Sequence, residues 1–451
     1  MSAALHAKPR IAVVGAGIAG LSSAWLLERR YDVTLFEAAG TLGGHSNTVD
    51  VTLDGATHPV DTGFLVYNER TYPNLVALFN ELGVDSVESE MSFAVSLAEP
   101  DLEWAGSSLA TLFGQKRNLL RADFWAMLGD ILRFNREATR WLAAHPEDTA
   151  SVGDFLERGR YSRAFAQWYL LPMAAAIWSC PTGQMRAMPL ATFVRFCDNH
   201  GLLQIFDRPR WRTVRGGARE YVRRIAQRLA DVRTACPVVA LTRDGAGWRV
   251  DHAHGSERFD QVVLACHSDQ SLAILGNAAS AAQRELLAAI RYEPNRAVLH
   301  SDAALLPRDP KLWSAWNYFA GNAAGDAREG GTDERPVGVS YLINKLQPLP
   351  FSTPVVVTLN PAREPAAERV IAEFDYAHPV FDAHAIAAQD RLAALQGENG
   401  IWLAGAWGRY GFHEDGLRSA LAVANALGVR APWQEQGAGG ELRHLRRRVR
   451  A

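Results

Sequence analysis

At 451 residues the chain exceeds what one ordinary hydrophobic core fills, so two or three domains are expected. A composition of 48% hydrophobic and 21% charged residues is that of a soluble globular protein and excludes disordered and fibrous classes. A formal net charge of -2 excludes a global attraction to nucleic acid, and no nucleic-acid module is expected.

The opening MSAALHAKPR has neither an apolar core nor a cleavage site, so no secretory signal is read there. Ile11 to Val14 is a short apolar run, the pattern of a strand buried on both faces. Gly15-Ala16-Gly17-Ile18-Ala19-Gly20 follows, then a helix from Leu21 to Arg29. Each glycine has its own physical reason. Gly15 permits the tight turn, Gly17 lets backbone approach a pyrophosphate, and Gly20 lets the helix pack close on the strand. The helix N-terminus offers unpaired N–H groups to the anion. A second buried strand, Val33 to Phe36, ends at Glu37 and then Ala38, with the acid about 20 residues on as a ribose-hydroxyl acceptor requires. An acid there disfavours a 2′-phosphate, and hence NADP.

Downstream come the doublet Gly43-Gly44, then His45, and the segment Val60-Asp61-Thr62-Gly63-Phe64. Tyr72 to Leu82 reads as a helix and Phe93 to Leu97 as a strand. Leu109 to His145 is strongly helical and aromatic, and a further helix from Ala164 to Trp178 is expected to break at Pro172. Large apolar residues interleaved with Arg and Lys here suit an apolar pocket or a membrane-facing surface. Val214-Arg215-Gly216-Gly217 opens a helix from Glu220 to Leu229. Strands follow at Pro237 to Leu241, Trp248 to Asp251 and Phe259 to Ala265, and later at Ala297 to His300, Val337 to Ile343 and Val355 to Leu359. Gly321 to Pro336 reads as a mobile surface loop. Asn399 to Trp407 is a strand ending in glycine, and Leu417 to Leu427 a helix, with Asp415 a candidate N-cap. The tail from Arg443 to Arg450 is basic enough to attract anionic lipid. The four cysteines, Cys180, Cys197, Cys236 and Cys266, form no CxxC pair, so no metal is expected and a reducing cytosol fits. Cys266 reads as a small apolar core residue. No uncharged apolar run is long enough to span a bilayer, so the expected location is cytoplasmic, with peripheral contact at the inner membrane face as the alternative.

These segments, in this order, resemble the flavin-containing amine oxidoreductase superfamily. The resemblance implies FAD, held by Gly15, Gly17, Ile18, Ala19, Gly20, Glu37 and Ala38 at the nucleotide. Nearer the ring it implies Gly43, Gly44, His45, Thr62, Gly63 and Phe64, with Val238 at the adenine and Gly405, Ala406, Gly416 and Leu417 closing the site. Two positions depart from the pattern: His45 stands where an arginine is usual, and Ala406 where an acid usually binds the ribityl or phosphate chain. The implied architecture is α/β, a Rossmann-type FAD-binding domain interleaved with an α+β substrate domain, as in the two-domain amine oxidases. On this division residues 1–85, 211–290 and 395–430 form the FAD domain, and 86–210 and 291–394 the substrate domain, the first part mainly helical; 431–451 is a basic tail.

LPMAAAIWS (Leu171 to Ser179), SYLINKLQ (Ser340 to Gln347) and YGFHEDGL (Tyr410 to Leu417) resemble a narrower bacterial branch associated with cyclopropane-synthase-like methyltransferases. That branch implies a desaturase of methyl-branched fatty acyl chains on phospholipid, passing hydride to flavin N5 and a proton to a base. The first candidate base is His413, because imidazole titrates in range. Glu414 and Tyr410 follow, and Lys345 is a candidate for holding a water near N5. A flavin amine oxidase is the alternative enzyme, weakened because the aromatic-cage position falls on His413. A non-catalytic FAD-binding module is the alternative from another class. The expected partner is a lipid or other apolar small molecule, with the oligomeric state left open.

Overall fold

The computed structural model describes residues 8–145, 149–204, 209–320 and 338–435. The expected loop at Gly321 to Pro336 and the basic tail from Arg443 therefore lie outside the described residues.

The nucleotide half is built on a parallel sheet of five strands. Its order is Asp231–Arg233, then β2 (Asp32–Phe36), β1 (Arg10–Val14), Gln261–Leu264 and Ile401–Leu403. Side chains alternate across β1, so each face closes a separate core. Ile11 and Val13 join Val33 and Leu35 beneath α1 (Ile18–Leu27), while Ala12 and Val14 join Val262 and Leu264 on the other side. All ten residues of α1 are buried, which explains its lack of an amphipathic stripe. The helix begins at Ile18, a turn earlier than its apolar spacing suggested, because the glycine loop itself is its first cap. The helix His413–Ala426 packs on α1 so closely that a Cβ at Gly416 would lie 2.7 Å from Ile18 Cγ2. The second face of the sheet is covered by an antiparallel ribbon, Val238–Asp244, Gly247–His252 and Gly255–Phe259.

The substrate half centres on a seven-stranded sheet. Its order is Val370–Val380, Arg291–His300, Val356–Leu359, Gly338–Leu342, Trp316–Ala320, Phe93–Leu97 and Leu102–Ala105. Phe93–Leu97 therefore pairs on one side with a strand more than 200 residues away, Trp316–Ala320, in parallel, and on the other with its neighbour Leu102–Ala105. The helices between residues 109 and 199 cover this sheet and share its core.

Two expected elements differ in detail. Leu109 to His145 is three helices rather than one, Leu109–Leu112, a 3-10 turn at Lys116–Leu120, and Ala122–Ala144. The break expected at Pro172 does not occur. The chain runs from Arg163–Phe165 through a π turn at Ala166–Leu170 into Leu171–Trp178. A proline has no N–H for the carbonyl four residues back and crowds it, and the wider π turn just before Pro172 absorbs both effects.

Candidate functional site

The carboxyl ends of the parallel strands meet at one crevice, the place where open parallel sheets hold their ligands. Val14 leads into Gly15, Phe36 into Glu37, Leu264 into Ala265 to His267, and Leu403 towards Gly405, and all of these but Leu264 and Leu403 line a single cavity of about 1650 Å³. That exceeds the roughly 300–1,000 Å³ usual for one small ligand, so it has room for a dinucleotide and a second molecule.

Glycine geometry fits the first of these. Gly15 has φ +98°, in the region that favours glycine, while a Cβ on Gly17 would meet nothing within 4 Å. Gly17 thus presents bare backbone to open space at the N-terminus of α1, whose unpaired N–H groups suit a pyrophosphate. Gly20 does not line the cavity: a Cβ there would fall 1.8 Å from the Gly15 carbonyl oxygen, so its role is close helix–strand packing. Glu37 sits at the end of β2, with Oε2 accepting the Ala16 N–H at 2.7 Å and Oε1 the Ala39 N–H at 2.8 Å. Each oxygen keeps a further lone pair for a ribose hydroxyl.

Farther along the cavity the expected residues Ile18, Ala19, Ala38, Gly43, Gly44, His45, Thr62, Gly63, Phe64, Val238, Gly405 and Ala406 all line the wall. Gly416 and Leu417 do not; they are buried between the last helix and α1 and shape the site only by packing. Ser419 ties that helix to the strand end, accepting the Gly405 N–H at 2.8 Å and donating to the Gly416 carbonyl at 2.6 Å.

His45 lies in a cluster of imidazoles that the sequence did not announce. Its ring stacks 5.0 Å from Tyr376 and lies 5.4 Å from His378 and 6.1 Å from His267. Burial and the neighbouring His267 push His45 down to about 4, and burial followed by His45 and His267 pushes His378 to about 3. Both are neutral near pH 7. Nε2 of His45 is buried with no hydrogen-bond partner among the described residues, which fits a polar atom of a bound group. In place of an arginine's fixed charge, the chain offers a neutral imidazole here. Two signals could have found its companions: His267 follows the end of a parallel strand, and Tyr376 and His378 alternate on one face of Val370–Val380. Among the described residues no group of three His, Cys, Asp or Glu is placed to hold a metal.

Of the four candidate catalytic residues, the structure brings two to the cavity. His413 and Tyr410 line it, whereas Glu414 and Lys345 do not. His413 stacks face to face on Phe64 at 3.7 Å, and its Nε2 lies 2.8 Å from Ser46 Oγ and 3.3 Å from Tyr221 Oη. Ser46 and Tyr221 hydrogen-bond each other, closing a buried triad. Burial, with His45 nearby, holds His413 at about 3. This removes the reason for reading it as the base, since a group protonated only near pH 3 takes a proton poorly at neutrality. Glu414 is buried, and its two oxygens accept from Asn74 Nδ2 at 2.6 Å, from the Leu75 N–H at 3.0 Å and from Arg418 at 2.9 Å. It therefore caps α2 (Pro73–Leu82), facing away from the cavity. Lys345 forms an ion pair with Glu90 at 3.0 and 3.1 Å, which keeps its ammonium at the rim. Asp415 is not the N-cap, because the helix starts at His413; from the third helical position its carboxylate accepts the Phe412 N–H. Cys266 also lines the cavity, where burial lifts its thiol to about 11 and leaves it unreactive.

Much of the remaining lining of the cavity, the apolar chamber, is aromatic and aliphatic. Phe412 stacks 4.8 Å from Phe196, which stacks 4.0 Å from His200, and Tyr169, Met173, Ile177, Trp316 and Tyr341 continue the wall.

A parallel sheet with a glycine cradle at its carboxyl edge, in one cavity with a largely apolar lining, defines a dinucleotide-binding protein. Residues 18–298 match the family described as flavin containing amine oxidoreductase, and the chain belongs to that family. Its fold is the two-domain fold of that superfamily. The chain is 30% identical over 281 residues to a carotenoid phi-ring synthase of Streptomyces griseus, a match covering 58% of this chain and 52% of that protein. It thus spans about half the length of that relative. Among solved structures, cyclohexylamine oxidase of Brevibacterium oxydans IH-35A aligns over 93% of this chain and 99% of its own, with a TM-score of 0.65 at 16% identity. A CLA-producing fatty acid isomerase from P. acnes aligns over 91% and 97%, with a TM-score of 0.61 at 14% identity. At those identities the likeness is one of fold.

Proposed function

We propose that the flavin is FAD and that the enzyme desaturates a methyl-branched fatty acyl chain carried on phospholipid. The observation that carries this reading is the chamber wall. No Lys or Arg lines the cavity among the described residues, and its acidic lining residues are Glu37 at the nucleotide end and the exposed Glu90 and Asp375. Such a wall stabilises an apolar chain by burial, at about 0.8 kcal/mol per methylene, and offers no interior countercharge to an ammonium substrate. The carotenoid named for the Streptomyces griseus relative is likewise long and apolar.

Bound FAD would supply the acceptor for a hydride at N5, while the neighbouring carbon would lose a proton to a base at the cavity wall, its C–H electron pair forming the double bond. Gly17 and the α1 N-terminus would hold its pyrophosphate, Glu37 a ribose hydroxyl and Val238 the adenine. The remainder falls to Gly43, Gly44, His45, Thr62, Gly63, Gly405 and Ala406. The chain's own residues then exclude water and align the acyl chain. Phe64 and His413 stack on each other in the cavity wall, and the Ser46–Tyr221 pair fixes His413 in one orientation.

The test is anaerobic mixing with methyl-branched phospholipid, followed by the oxidised-flavin absorbance. Bleaching by that lipid, with a new double bond in the recovered acyl chain, is the expected result. Bleaching by a polyamine or cyclic amine, and none by the lipid, overturns it in favour of amine oxidation.

A further inference from the structure

Of six large apolar side chains that stand exposed among the described residues, five fall in one stretch: Leu109, Leu119, Leu120, Trp125 and Leu132. Leu120 is 91% exposed and Leu109 77%, more than an isolated surface leucine needs. They sit on three consecutive helices, held together from within. Trp125 Nε1 donates to the Leu119 carbonyl at 2.9 Å, fixing the 3-10 turn against Ala122–Ala144, and the side chain remains half exposed.

Charge surrounds this patch in an ordered way. Lys116 and Arg117 stand exposed beside the leucines, and Arg121 borders them. Along Ala122–Ala144 the exposed row runs Ala122, Trp125, Gly129 and Leu132, then turns cationic at Arg136 and Arg140. Asp123 is an exposed acid beside that row, Asp101 pairs with Arg117 at its edge, and Glu137 pairs with Arg136. Apolar insertion flanked by cations is the pattern of a surface that lies in the headgroup layer of an anionic membrane. A second copy fits less well, since a twofold contact would bring the same cationic rims together.

The patch also adjoins the cavity. Gly106 and Ser107 are exposed and line it, and Ser108 caps the helix that begins at Leu109. We propose that the surface formed by Leu109, Leu119, Leu120, Trp125 and Leu132 docks on an anionic phospholipid bilayer, delivering the acyl chain to the cavity mouth at Gly106 and Ser107. The delivery role rests on the acyl-chain reading of the chamber; the docking itself does not.

Flavin-loaded full-length protein is sedimented with vesicles of phosphatidylglycerol and phosphatidylcholine, and with phosphatidylcholine alone. The protein is expected to follow the anionic vesicles, less so as salt rises. The double variant Leu109→Gln, Leu120→Gln should bind about a hundredfold more weakly, near tenfold per leucine. Lys116→Glu should lower binding to the anionic vesicles only. Wild-type protein left in the supernatant overturns the proposal, as does a double variant that binds like wild type. So does loss of binding on truncation at Arg443 while the patch variants bind normally, which assigns the membrane to the tail. A patch variant that turns a dimer into a monomer without changing vesicle binding assigns the surface to a second copy. Flavin reduction separates this proposal from the one on substrate. The double variant should lose activity on vesicle-borne lipid and keep it on detergent-dispersed lipid. If neither form of lipid reduces the flavin while vesicle binding still follows the patch, the substrate reading fails and the docking stands.

Discussion

The cradle takes its shape from backbone, the chamber from side chains. Between Gly15 and Gly20 a few consecutive residues place the loop, the helix N-terminus and the close helix–strand contact in the cradle. The chamber draws its wall from Phe64 through Tyr341 to Phe412, on elements scattered over most of the chain. A backbone site is set by local rules and tolerates little substitution. A side-chain site is set by long-range packing and can be retuned one residue at a time. Gly20→Ala is the sharpest way to test the first half of this contrast. With the Gly15 oxygen 1.8 Å from the new Cβ, something rigid must move, at a cost of about 3 kcal/mol or more. The variant should purify without flavin and with a clearly lowered Tm; a normally coloured protein would break the contrast at once.

Ala176→Trp should act on the other half alone. Ala176 is buried in the chamber wall, so an indole there should lower kcat/KM for lipid by about a hundredfold while the flavin spectrum is kept. Loss of flavin as well would mean that the two sites are not separable.

The buried imidazoles give a subtler test through pH. His45, His378 and His413 are held at about 4, about 3 and about 3 in the folded chain, against a usual value near 6.5. As pH falls through 6.5 the unfolded chain takes up protons that the folded chain refuses, so stability declines towards acid. The slope is about 1.4 kcal/mol per pH unit for each histidine. Urea unfolding at pH 7 and pH 5.5 should show this decline, and His413→Asn should make it shallower. Across pH 5 to 8 His413 should contribute no inflexion to kcat/KM; a wild-type inflexion lost in His413→Asn would restore it as the base. The smallest effect belongs to Lys345→Ala. Its surface pair with Glu90 should contribute under about 1 kcal/mol, and turnover should stay within about twofold of wild type.

The same contrast governs how much was legible in the sequence. Strand, glycines, helix and terminal acid are local, and Gly15, Gly17 and Glu37 lie where their spacing places them. His413 was found by its neighbourhood in sequence, but its burial was not. Its lowered titration comes from burial and then from His45, and its neighbours Phe64, Ser46 and Tyr221 arrive from elsewhere in the chain. Glu414 was misread for the same reason: its partners, Asn74 and Leu75, are more than 330 residues away. The π turn before Pro172 was hidden because proline's local rule forecasts a break, whereas the surrounding core keeps the helix continuous. The exposed row at Leu109 to Leu132 could be described from sequence only as apolar; which side chains face outward needed the fold.

Glu37 holds the glycine loop at Ala16 through a hydrogen bond of 2.7 Å before any nucleotide is considered. An acid read as a ligand contact is therefore also a template. The loop's conformational entropy is removed when the chain folds rather than when the cofactor arrives, so less ordering opposes binding. Glu37→Gln should accordingly do more than weaken one ribose contact. It should slow cofactor uptake into an apoprotein whose loop has become an ensemble, and the on-rate should record the change alongside the off-rate.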